Sequence, residues 1–270
     1  MKSRSIRRVL FYLLLAGSLA GFFTWLLHVP RRPERLLRAV PVHADYLSIH
    51  PNLADQWAGL SANPIFRSVL GGMGFGKDEL DAAASDPGFQ TWMRMLASDT
   101  LVLFRADNWR PGERRPVWCA ASLLGGRSQR LRWLLKAGRI PGFERAGEYQ
   151  GRILWRWQSR DLPPGADLYL AFEEGLVLAC LTDRASDLAA LLSSYDGTSP
   201  SCDFSAMGLN WDQLPPMTGR VRSGLDWEFR VDEIGSDRLA ARLICRTPLP
   251  PLTPVRTPAP PEWISVAADG

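Results

Sequence analysis

Apolar and polar positions follow three different rhythms along this chain. The first stretch has no polar rhythm: Val9 to Leu27 reads VLFYLLLAGSLAGFFTWLL, nineteen residues without a charge. As a helix rising about 1.5 Å per residue, it nearly spans a hydrocarbon core roughly 30 Å thick. Tyr12 and Trp25 stand near its ends, where amphipathic rings prefer the interface. A soluble helix would show a polar stripe, and this one has none. Ser18-Leu19-Ala20 offers the small residues of a signal-peptide cleavage site, but the apolar run continues through Phe22, Phe23, Trp25, Leu26 and Leu27, which favours an uncleaved anchor.

The second rhythm is helical. After a short strand at Tyr46–Ile49, Asn52 is placed to cap a helix through Leu53, Trp57 and Leu60. Pro64 opens another with Ile65, Phe66, Val69 and Leu70 inward. Short helices follow at Asp78–Ala84 and Phe89–Ala97.

The third rhythm is that of strands. Leu101–Phe104 and Val117–Ala121 flank a polar loop, and Ser128 is placed to cap a helix carrying Leu131, Leu134 and Leu135. Phe143–Tyr149 and Arg152–Gln158 predict a hairpin across Gln150-Gly151, and Leu168–Phe172 and Leu176–Leu181 a second across Glu173-Glu174-Gly175. A helix from about Arg184 to Ser193 and a last hairpin, Trp227–Val231 with Leu239–Ile244, complete the pattern. A hairpin followed by a helix thus occurs twice, at Leu101–Gly138 and Leu168–Gly197. Short hairpin connections imply an antiparallel sheet, so the expected class is α+β: an N-terminal transmembrane helix, then a mostly antiparallel sheet with helices packed on one face.

The boundaries expected are a basic cytoplasmic tail at 1–8, the transmembrane helix at 9–27 and a basic juxtamembrane spacer at 28–40. An extracytoplasmic α+β domain follows at 41–247, then a Pro-rich linker at 248–261 and a terminal strand at 262–270. The linker holds seven prolines in fourteen positions and reads as a stiff polyproline-type segment. Trp263-Ile264-Ser265-Val266 beyond it matches Tyr46-Leu47-Ser48-Ile49 in residue type, as the start of a second copy or a strand that docks back would.

Charge sharpens this division. The chain carries 32 basic and 28 acidic side chains; eight of the basic ones and one acidic one fall in residues 1–38, so the remainder is net −3. The basicity belongs to the flanks of the apolar segment, where it suits anionic lipid headgroups, and a mildly acidic domain has no general attraction for nucleic acid. Lys2, Arg4, Arg7 and Arg8 before the segment favour a cytoplasmic N-terminus and a domain outside. The partners expected are therefore the lipid bilayer and a protein of the envelope, at the inner (plasma) membrane.

Candidate chemistry is thin. Gly71-Gly72-Met73-Gly74-Phe75-Gly76-Lys77 has the G-x4-G-K spacing of a phosphate-binding loop, but Asp78 stands where a magnesium-binding hydroxyl is needed and the preceding residues look helical. The histidines are His28, His43 and His50, so a Ser–His–Asp site would have to use His43 or His50. Cys119, Cys180, Cys202 and Cys245 show no C-x-x-C spacing; an exported domain permits one disulfide, with three complete pairings open. Glu173-Glu174 and Asp232-Glu233 are adjacent acids, which on a strand point opposite ways and form no facing carboxylate pair. Ile153, Trp155 and Trp157 share one strand face, either a core face or, if exposed, a stacking platform for sugar. No catalytic residue, no cofactor-binding residue and no metal ligand is assigned, and no cofactor is expected.

Several segments together look familiar: the basic tail and anchor, Pro41-Val42-His43-Ala44-Asp45-Tyr46, Glu148-Tyr149-Gln150-Gly151-Arg152-Ile153, Leu168–Leu178, and Leu191-Leu192 before Tyr195-Asp196-Gly197. Over roughly residues 5–200 the chain resembles a class of N-terminally anchored bacterial envelope proteins whose outer part has tandem α+β domains of unknown function. The resemblance implies a tethered, non-catalytic binding or scaffold domain and no site residues. The alternative is an enzyme or binding module acting on envelope glycan through carboxylates and exposed tryptophans.

Overall fold

The computed structural model describes residues 11–22, 28–42, 44–72, 76–106, 116–158, 162, 165–197, 209–223, 225–235 and 238–246. His43, Cys202, the proline linker and the segment 262–270 lie outside them. The chain is α+β. Helix α1 occupies 11–22, and a 3-10 turn spans Pro33–Ala39. Then come β1 (Ala44–Pro51), α2 (Leu53–Ala62), α3 (Pro64–Gly72), α4 (Lys77–Ser85) and α5 (Pro87–Leu96). The hairpin β2 (Thr100–Ala106) and β3 (Val117–Leu123) leads to α6 (Gly126–Lys136). The hairpins β4 (Phe143–Tyr149) with β5 (Arg152–Trp157) and β6 (Asp167–Glu173) with β7 (Leu176–Thr182) lead to α7 (Ala185–Tyr195). Strands β8 (Met217–Ser223), β9 (Leu225–Ile234) and β10 (Leu239–Cys245) close the domain.

Among the described residues ten strands join one antiparallel sheet in the order β10-β9-β8-β1-β2-β3-β7-β6-β5-β4. Two of its turns are tight because their central residues accept positive φ: Gln150 (47°) with Gly151 (81°), and Glu174 (35°) with Gly175 (88°). That pairing matches the twist of the strands on either side.

Helices cover both faces of this sheet, which corrects the expectation of helices on one face. Alternation sends Val102, Phe104, Cys119, Ala121, Leu178 and Cys180 to one side, where the 3-10 turn and α7 seal them with Leu36, Val40, Leu188, Leu191 and Leu192. The opposite side holds Trp155, Leu170 and Val177 under Leu131 and Leu135 of α6, and Leu101 and Leu103 beside Leu53 and Leu60 of α2. The unbroken run Leu101-Val102-Leu103-Phe104 is the local sign of a strand covered twice. The two hairpin-helix units therefore share an order but not a geometry: α6 and α7 lie on opposite faces.

Other boundaries shift for local reasons. Residues 28–40, expected as a spacer, are in part built into the domain: Leu36, Ala39 and Val40 are fully buried. Asn52 precedes α2 in the left-handed region and makes no side-chain cap bond. Asn63 and Asp86 are the side chains that accept from the first amides of α3 and α5. Ser128 lies inside the first turn of α6 and donates to the carbonyl of Gly125 at 2.7 Å. Strand β8 is absent from the sequence reading.

Helix α1 covers part of the uncharged stretch, with Phe11, Tyr12, Leu13 and Leu14 all more than three-fifths exposed. Among the described residues no helix is long and apolar enough to cross a membrane.

Candidate functional site

The aromatic face of β5 is packed rather than displayed. Trp155 is buried against α6. Trp157 stacks on Phe143 with ring centres 6.0 Å apart and leans on Trp92 of α5 at 6.5 Å. With Ile153 they form the inner surface of a layer closed by α5 and α6, and no stacking platform is left open there.

Beside this layer lies a cleft of about 300 Å³ between α6, the β4–β5 turn and the β6–β7 turn. Helical spacing brings Gln129, Arg132 and Lys136 to its wall on one stripe of α6. Arg152 and Glu173 stand across from them, with Ile153, Trp155 and Phe172 at the base. The acidic pair Glu173-Glu174 borders the cleft, but each carboxylate already has an arginine: Glu173 pairs with Arg152, and Glu174 with Arg35 of the 3-10 turn. Arg152 also makes a fork with Asp196 at the end of α7, at 2.7 and 2.8 Å. The Asp196 hydrogen bond, supported by Glu173, holds the Arg152 guanidinium well above its ordinary pKa. These groups lock a hairpin to a helix end; they present no paired acid and base to a substrate. The second acidic pair is likewise taken up, Asp232 by Arg230 and Arg242 and Glu233 by Arg238.

One Ser–His contact does form. On β1, His50 Nε2 lies 2.8 Å from Ser48 Oγ, and both residues are buried. Tyr46 bonds to the same serine, and burial raises its pKa. Burial also pushes the His50 pKa down to about 4, so the ring is neutral at physiological pH. Its Nδ1 has no partner among the described residues, so no carboxylate orients the ring as a hydrolytic triad requires. The pair is a buried polar link in the core, invisible in sequence except as the alternation Tyr46, Ser48, His50.

The register resolves the cysteines better. Cys119 and Cys180 are directly opposed on β3 and β7, buried, with Sγ atoms 3.2 Å apart. Of the pairings left open by sequence, this is the one the sheet brings together. Burial pushes the Cys180 thiol well above its ordinary pKa, which disfavours the reactive thiolate. Of the glycine-rich run, Gly71 and Gly72 end α3 and Lys77 opens α4, with 73–75 outside the described residues, so a helix stands where a phosphate-binding loop requires a strand. No cluster of His, Cys, Asp and Glu that could hold a metal ion occurs among the described residues.

What sequence reasoning passed over is the outer face of α6. Arg127, Arg130, Arg132, Lys136 and Arg139 bracket Trp133 in sequence, and no acidic residue occurs from Leu124 to Phe143. The signal was legible as a local charge run but was hidden by the net acidity of the domain.

No family model matches the chain, and no curated protein matches it. A solved structure described as crystal form IV of TP0453 superposes with a TM-score of 0.41 at 8% identity, over 81% of each chain. That likeness is too loose to carry a function across.

Proposed function

We propose that this chain is a single-pass, membrane-tethered protein of a bacterial envelope, whose α+β domain lies outside the cytoplasm and binds or scaffolds a protein partner without catalysing a reaction. The observation that carries the non-catalytic reading is the state of the candidate chemistry. Trp155 and Trp157 are packed inward, and the carboxylates nearest the cleft are consumed by arginines. An enzyme or binder of envelope glycan would need those tryptophans open beside two facing carboxylates. Supporting the tether are the uncharged stretch 9–27, its basic flank, and apolar side chains exposed around α1. The resemblance to anchored envelope proteins agrees with both.

The test is fractionation followed by labelling. The full chain is expected to stay with membranes through alkaline carbonate and to leave them in detergent. A cysteine placed at exposed Ala137 is expected to react with a membrane-impermeant maleimide added to spheroplasts. Release of the intact chain without detergent would defeat the tether. Labelling only after lysis would defeat the topology.

A further inference from the structure

The sheet's arginines are nearly all engaged. Arg105, Arg145, Arg152, Arg156, Arg220, Arg230 and Arg242 each pair with a carboxylate. On α6 the opposite holds. Arg130, Arg132 and Lys136, with Arg139 just past the helix end, are exposed and make no ion pair among the described residues, and Trp133 between them is 51% exposed. Unpaired cations around a half-exposed tryptophan on a helix whose other side is buried through Leu131 and Leu135 have the composition of an interfacial helix. The cations suit lipid phosphates, and the indole suits the headgroup boundary.

The course of the chain selects the occupant of this face. Val29, two residues past the uncharged stretch, packs on the β6–β7 turn so closely that a Cβ on Gly175 would lie 2.5 Å from its side chain. The carbonyl of that same Gly175 accepts from the amides of Leu124 and Gly125, both at 2.8 Å, immediately before α6 begins. Arg35 fastens the following turn to Glu174. The chain thus enters the domain at the first turn of α6. If residue 27 ends a bilayer span, the start of α6 stands within about 10 Å of the membrane surface, at roughly 3.5 Å per extended residue. The helix itself is only about 16 Å long at 1.5 Å per residue.

We infer that the outer face of α6 docks on the anionic lipid surface of the membrane that holds the tether, fixing the domain's orientation. This rests on the tether proposed above and adds a surface to it. A tethered face works at high effective concentration, so individually weak contacts suffice.

The test uses the full chain in nanodiscs, with Cys202→Ser and Cys245→Ser, and a spin label at Ala137→Cys at the C-terminal cap of α6 or at Ser186→Cys on α7. Lipid is either neutral phosphatidylcholine or the same with one third phosphatidylglycerol. In anionic discs the accessibility of the Ala137 label to a water-soluble nickel complex is expected to fall about fivefold or more at low salt. It should recover at high salt, since exposed contacts are screened, and in the Arg130→Glu, Arg132→Glu, Lys136→Glu variant, whose thermal unfolding serves as the folding control. The Ser186 label should not respond. Equal accessibility in both lipids overturns the inference, as does protection by soluble polyphosphate but not by anionic lipid. A chain that refuses discs and stays soluble without detergent removes the tether alone. The surface is then read by sedimentation with phosphatidylglycerol vesicles, where salt-sensitive binding supports it and no binding overturns it.

Discussion

The two faces of the central sheet are built on different principles. Beneath α7 and the 3-10 turn the packing is one continuous apolar core, in which Leu36, Ile49, Val102, Phe104, Leu178, Leu188, Leu191 and Leu192 are essentially without solvent contact. Beneath α2, α5 and α6 it is divided into two smaller clusters, and buried polar groups occupy the same face: Ser48, His50 and Ser122. The helices differ in the same way. Helix α7 turns nearly every long side chain inward, whereas α6 buries Leu131 and Leu135 and leaves a cationic surface free. One face concentrates the stability of the domain. The other divides its apolar packing around a buried titratable group, His50, and keeps a surface that can meet a partner, whereas the polar pair buried beneath α7, Thr182 with Asp187, closes on itself.

The strongest way to break this contrast is to hollow each face in turn. Leu191→Ala on α7 is expected to cost about 4 kcal/mol, near the upper part of the range for buried leucines, because its surroundings are fully packed and collapse little. Leu131→Ala on α6 should cost about 2 kcal/mol. Urea midpoints at constant slope measure both, and equal losses would erase the distinction.

Acid tests the polar side. The unfolded chain takes up the His50 proton near pH 6.5, the folded chain only near 4. The unfolded state therefore holds more protons between those values. The contribution of neutral His50 is complete above about pH 6.5 and is lost as pH falls toward 4, amounting to about 3 kcal/mol in all. Urea midpoints across this interval should fall in the native protein, and His50→Gln should flatten that part of the profile. A native profile already flat between pH 6.5 and 4 would show the ring to be solvated.

A smaller effect tests how α7 is tied to the sheet. Arg152→Ala removes the fork to Asp196 and the bond to Glu173, and is expected to cost about 2 kcal/mol, as charge-assisted bonds of a partly buried group do. Thermal unfolding measures it, and a change within error would make the triad ornamental. The smallest effect belongs to α6. Arg130→Ala with Arg132→Ala should alter stability by less than about 0.5 kcal/mol, since both side chains are exposed and neither makes an ion pair among the described residues. A larger loss by thermal unfolding would mean that this face is structural and not spare.

Much of the secondary structure was legible because it is local. The hairpins around Gln150-Gly151 and Glu174-Gly175 were marked by turn chemistry, and α3, α5 and α7 by apolar spacing and flanking caps or breakers. The errors were of two kinds. Residues 33–40 and 217–223 carry short, charge-interrupted patterns, and their roles depend on neighbours distant in sequence. Ser128 and Asn52 were correct residue types for caps, but in each case the backbone made another choice, since a single side-chain bond is outweighed by packing. For the site, the sequence displayed Trp155, Trp157 and the acid pairs but not whether they were open. Exposure is decided by what lies across the sheet.

By itself, then, the sequence determined the alternation of strands and helices, the uncharged stretch before them and the scarcity of catalytic residue types. All of these are properties of residue order and composition. Only the tertiary structure decided that helices take both faces of the sheet, that Cys119 meets Cys180, that the Ser48–His50 pair is buried, and that Arg130, Arg132 and Lys136 of α6 make no ion pair among the described residues while most arginines of the sheet do. Each of these depends on strand register and on which surfaces are brought into contact, and a contact between residues sixty positions apart leaves no mark in either neighbourhood alone.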